Sequence, residues 1–160
     1  MIFSPQSKVW IYQSNRQFTA IEAKAIQQKL DAFTAQWTAH GHQLKAKAEI
    51  PYNFFIVLTV DQDTASATGC SIDSSVRLIK EIEQTYGVDL FDRFNMAYKI
   101  DNEVHVVTKE DFETLITIKQ IGPQTIVFNN LVQTLAEFEA KWEVAIEDSW
   151  HKNIFAEQLA

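Results

Sequence analysis

A single cysteine, Cys70, excludes an intramolecular disulfide and a zinc site built from several cysteines. Glycine is equally scarce. Gly41, Gly69, Gly87 and Gly122 lie too far apart for a G-x-G-x-x-G dinucleotide loop or a Walker-A phosphate loop. There is no G-x-S-x-G nucleophile elbow. Basic residues are the minority: 14 Lys and Arg stand against 21 Asp and Glu, a net charge of −7 with no basic cluster. Binding to a phosphate backbone needs a positive footprint, so nucleic acid and anionic membranes are disfavoured as partners. No apolar run approaches the ~18 residues of a spanning helix. The first six residues lack the charged and apolar regions of a signal peptide, which makes cytoplasmic residence the expectation. Nothing in the sequence calls for a cofactor.

What is present is bulk for a core. Hydrophobic residues make up 46% of the chain, with eleven Phe, four Trp and four Tyr, enough to rule out a disordered reading. The expectation is a single domain over residues 1–160, with an α+β core in 1–108 and a helical C-terminal extension in 109–160 packed on it.

Lys8 to Gln13 is a β-branched and aromatic run that reads as a first strand. Thr19-Ala20-Ile21-Glu22 has capping-box spacing and opens a helix with Ile26, Leu30, Phe33 and Trp37 on one face. Gly41, between His40 and His42, suits its left-handed cap. Leu44 to Ile50 alternates strictly, with Lys45 and Lys47 guarding a sheet edge. Phe54 to Val60 is apolar on both faces and reads as a central strand. A second helix begins near Asp73, presents Ile72, Val76, Ile79, Ile82 and Tyr86, and stops at Gly87. Asn95 to Ile100 and Glu103 to Thr108 flank Asp101-Asn102, a two-residue hairpin turn. Thr108 caps a shorter helix. Asn130 opens a last long one, with Leu131, Leu135, Phe138, Trp142, Ala145 or Ile146, and Trp150 at helical spacing.

The order through Ile100 predicts an α+β fold, a ferredoxin-like split β-α-β plait (β-α-β-β-α-β), with an added hairpin strand and C-terminal helices. With the first and third strands taken as parallel neighbours, Gln13, Ser14, Asn15 and Arg16 face Asp61, Gly69, Cys70, Ser71 and Ser74. Two helix N-termini and Arg16 then form an electropositive corner for a carboxylate or phosphate, with Arg16, Ser71 and Ser74 as ligands and Ser14 and Ser75 in support. The plainer alternative is that the serines cap a helix and Arg16 pairs with Asp61 or Asp63.

Cys70 is a candidate nucleophile, its thiolate favoured by a helix N-terminus and its oxyanion site made by the amides of Ser71 to Asp73. Such a site needs a base, and the plait puts His40 and His42 at the opposite sheet edge. A buried, inert thiol is the competing expectation. His40-x-His42 with Asp89, Asp92 or Glu49 has weak metal-ligand character, and no metal site is expected. Asp61-Gln62-Asp63 starts like a calcium loop but lacks the sixth-position glycine, and the twelfth position is Ile72.

Trp10-Ile11-Tyr12-Gln13-Ser14-Asn15-Arg16, Trp37-Thr38-Ala39-His40-Gly41 and Gly69-Cys70-Ser71-Ile72-Asp73 together resemble a family of bacterial proteins of about this length. That family has no established activity and is sometimes labelled "ABC transporter ATPase". The label implies Walker-A, Walker-B and signature motifs, and this sequence has no G-x-x-x-x-G-K-[ST]. The resemblance therefore carries no functional residue over. The functional expectation is non-catalytic binding of a small anion or a protein partner. The alternatives are a Cys70-dependent transferase or hydrolase, and a structural homodimer joined through the C-terminal helix and Trp150 to Phe155.

Overall fold

A computed structural model describes residues 2–160. Along the chain come β1 (Lys8–Gln13), α1 (Ala20–Gln36), β2 (Thr38–Ala39), β3 (His42–Gln43), β4 (Lys45–Glu49), β5 (Phe55–Asp61) and α2 (Gly69–Tyr86). Then follow β6 (Asn95–Ile100), β7 (Glu103–Thr108), α3 (Lys109–Thr117), β8 (Ile126–Phe128), α4 (Leu135–Lys141) and β9 (Glu143–Ala145). Two one-turn helices, α5 (His151–Ile154) and α6 (Ala156–Leu159), end it. The architecture is α+β with antiparallel sheets. Two compact units form: residues up to Phe91 with Gln133–Phe138, and Asp92–Val132 with Glu139–Ala160. Strands from both sides of position 108/109 share one sheet.

In the first unit the strand order is β1-β5-β4, each pair antiparallel. Lys8 lies opposite Val60 and Gln13 opposite Phe55, so β1 and β5 are neighbours but not parallel ones. The reason is topological. The α1 crossover joins two strands of the same direction, β1 and β4, and the strand returning between them must oppose both. Residues 95–100, expected as the plait's fourth strand, pair in a different sheet. The outer edge of β1 is met instead by Gln133 and Thr134: Val9 N donates to Gln133 O at 3.0 Å, and Leu135 N to Ser7 O at 2.8 Å.

One face of this sheet, through Tyr12, Ile56, Leu58 and Val60, packs against Ile26 and Leu30 of α1 and Ile79 and Ile82 of α2. The Thr19–Glu22 capping box is present. All of β5 is buried, as its apolar faces demand, while β4 is an edge strand with Lys47 exposed. α2 starts one turn earlier than its apolar stripe implies, because Thr68 and Ser71 form a capping box. It stops at Gly87 in the left-handed conformation (φ 63°), whose amide donates to Glu83 O. α1 stops at Gln36; His40 (φ 51°) and Gly41 (φ 76°) turn the β2–β3 hairpin rather than cap a helix.

In the second unit the order is β7-β6-β8-β9, all antiparallel. Asp101 (φ 50°) and Asn102 (φ 67°) form the expected two-residue turn, and both have the positive φ of a type I′ hairpin. Met96, Tyr98 and Val127 face Phe112 and Ile116 of α3, with Ile146 and Phe155. The long last helix is not formed: α4 has seven residues. Asn129 N donates to Trp142 O at 2.7 Å, the Trp142 indole donates to Asn130 Oδ1 at 2.9 Å, and its ring packs on Phe128. Those contacts draw 143–145 into the sheet beside β8. Among the described residues no helix is long and apolar enough to cross a membrane.

Candidate functional site

The antiparallel pairing of β1 with β5 takes the expected anion corner apart. Arg16 follows the end of β1 that lies beside the start of β5. Its guanidinium forms a two-pronged pair with Glu22, Nη1 to Oε1 at 2.8 Å and Nη2 to Oε2 at 2.9 Å, and Nη2 also donates to Tyr86 O at 2.7 Å. Arg16 thus sits against the last carbonyls of α2, where a cation complements the helix dipole. Its hydrogen bonds, with the Thr19 amide, hold the Glu22 carboxyl down at about 2. Ser71 lies fifteen residues back along the helix, roughly 22 Å away at 1.5 Å per residue. No single small anion spans that distance.

At the start of α2 the serines are turned inward. Ser71 Oγ accepts from the Thr68 amide at 2.6 Å, and the Ser71 amide donates to Thr68 Oγ1 at 3.3 Å. The Trp37 indole donates to Ser71 O at 2.8 Å. Ser74 Oγ donates to Cys70 O and accepts from Arg77. Ser75 is buried, donates to Ile72 O at 2.6 Å and bonds the Tyr12 hydroxyl, whose pKa is raised by burial. Ser14 is buried elsewhere, its Oγ accepting from the Arg16 amide at 3.3 Å. Asp61 is taken up by the amides of Ser4 and Asp63, which hold its carboxyl below the usual range, and by Lys45.

Cys70 is exposed, not packed beneath the loop. The β2–β3 hairpin bearing His40 and His42 stands at the same end as the start of α2, since β2 contacts α2 and Trp37 bonds Ser71. That reverses the expected separation. Even so, among the described residues no hydrogen bond joins Cys70 to a base, and no three His, Cys, Asp or Glu side chains gather as metal ligands. In the second unit His151 is buried against Trp150 and Phe112, its Nδ1 2.7 Å from Ser149 Oγ, and burial lowers its pKa to about 4. A recess of about 710 Å³ is lined by Ile116, Ile121 and Leu159, with Lys119 and Glu157 of opposite charge also in its lining.

The sheet edges give a sharper contrast. The edge of β1 is covered by Gln133 and Thr134. That of β4 carries Lys45 and Lys47, and β9 is only three residues long. β7 has six residues, no lysine, and three valines at 104, 106 and 107. In a two-residue hairpin the residues flanking the turn exchange hydrogen bonds, here Ile100 and Glu103. The bonds then alternate, so Glu103, His105 and Val107 are tied to β6, while Val104 and Val106 aim N–H and C=O outward. Among the described residues no strand pairs with that side. Sequence reasoning found the hairpin but not this edge; the readable signal was a valine-rich strand without the lysines that β4 has.

No family model, curated protein or solved structure matches the chain.

Proposed function

We propose that the chain is a non-catalytic binding domain that takes an extended segment of a protein partner along the free edge of β7. The carrying observation is the alternation at that edge: Val104 and Val106 offer two donors and two acceptors in strand geometry. Strand addition uses such groups for affinity and alternate side chains for specificity. Support also comes from exclusion. Arg16, Ser71 and Ser75 are spent on internal hydrogen bonds, and Cys70 has no hydrogen-bonded base among the described residues.

The test is selection of random nonapeptides displayed on phage against the wild-type protein, counter-selected against Val106→Pro. Proline removes the outward N–H and is tolerated on an edge strand, leaving the bonds to β6 intact. Enrichment of peptides that bind wild type and not the variant is expected. Peptides that bind both equally, or no enrichment, would contradict the reading.

A further inference from the structure

Resting on that edge-binding reading, we infer that the segment β7 accepts is apolar and β-branched at its centre and cationic at both ends. The strand's ends carry the charge. Asp101 and Glu103 stand at its start, Glu110 and Asp111 just beyond its end, and all four are exposed. Lys109 is the cation among them, while Lys99 on the neighbouring strand is held by Glu143. The start of α3 contributes about +0.5 charge, which leaves the edge near −2.5.

Between the acidic ends, Val104 and Val106 share one face of the hairpin with Ala97, whose register partner is Val106. His105 and Val107 share the other face, His105 stacked on Tyr98. Over its middle an incoming strand therefore meets Val104 and Val106 on one face and Val107 with the Tyr98-stacked His105 on the other, and at its two ends carboxylates about 20 Å apart at strand rise. A second copy of the chain would bring two such acidic edges together, so like-charge repulsion argues against it as the occupant.

The experiment is fluorescence anisotropy with a synthetic nonapeptide: alternating valine and threonine, flanked by two lysines at each end. Its companion has glutamates in place of the lysines. At low salt the lysine peptide is expected to bind at least about tenfold tighter than the glutamate peptide, and high salt should collapse that difference. Val106→Pro, with an unchanged far-UV spectrum, should weaken the lysine peptide about tenfold or more, as should N-methylation of alternate peptide amides, which leaves the protein untouched. The double variant Glu103→Lys, Glu110→Lys should reverse the preference. Equal affinity for both peptides, with both sensitive to Val106→Pro, would overturn the charge inference and leave edge binding standing. No binding by either peptide, or binding indifferent to both Val106→Pro and N-methylation, would overturn edge binding itself. A dimer by sedimentation that Val106→Pro dissociates would make a second copy the occupant and overturn the inference.

Discussion

Lowering the pH from 7 to 5 should destabilise the second unit through one side chain, His151. It is 2% exposed, stacked on Trp150 at 3.8 Å between ring centroids and beside Phe112, with Ser149 Oγ 2.7 Å from Nδ1. Burial penalises the imidazolium and lowers the pKa from 6.5 to about 4. The folded state holds His151 neutral, whereas the unfolded chain protonates it below 6.5. Between those two values the unfolded state binds more protons, so stability falls as pH falls. Below about 4 both states are protonated and this contribution is exhausted. The whole window corresponds to about 3 kcal/mol, of which about 2 kcal/mol is lost between pH 7 and pH 5. Glu22 and Asp61, whose pKa values are lowered, act in the same direction, but mainly below their ordinary values of 4.5 and 3.8. The assay is urea unfolding at a series of pH values, read by tryptophan fluorescence, on wild type and His151→Asn. Asparagine keeps a polar partner for Ser149 but cannot titrate. The variant should be less stable at pH 7, by about 2 kcal/mol for the lost packing, yet show a much flatter pH profile. Parallel profiles in the two proteins would refute the argument.

Three further outcomes follow from the first unit. Arg16→Ala should lower stability by about 1 kcal/mol, since its pairs are partly exposed, and by the same amount with or without phosphate; a loss seen only with phosphate would revive an anion site at Arg16. Thr68→Ala should cost about 1 kcal/mol by removing the acceptor for the Ser71 amide, and thermal unfolding would show no change if the cap were idle. Cys70 should be alkylated to completion in the native protein with an unchanged melting temperature, and protection until unfolding would contradict its exposure.

Local chemistry was readable from residues, long-range pairing was not. Thr19 and Glu22 announce a helix start, and Asp101-Asn102 a hairpin, because hydrogen bonds within a few residues decide both. The both-face apolarity of Phe54 to Val60 marks a strand buried on two sides, which forms as Phe55–Asp61. The direction of β1 against β5 depends on where α1 delivers the chain, so the site built from it, Arg16 with Ser71 and Ser74, was misplaced by the length of α2. The C-terminal stripe failed differently. Leu131, Leu135, Phe138, Trp142 and Trp150 have helical spacing, but Leu131 is exposed and Trp142 packs on Phe128, so tertiary contacts override the period. The openness of the β7 edge is legible only by comparing it with every other edge, which requires the strand order.

The central claim is that β7 presents Val104 and Val106 outward for strand addition, and residue-resolved amide hydrogen exchange with the lysine-flanked nonapeptide tests it most directly. In the free protein the Val104 and Val106 amides should exchange quickly while those of His105 and Val107, bonded to β6, are protected. Saturating peptide should slow Val104 and Val106 and leave the other two unchanged. Uniform protection along β7 in the free protein, or peptide-induced protection that falls elsewhere, would contradict the account.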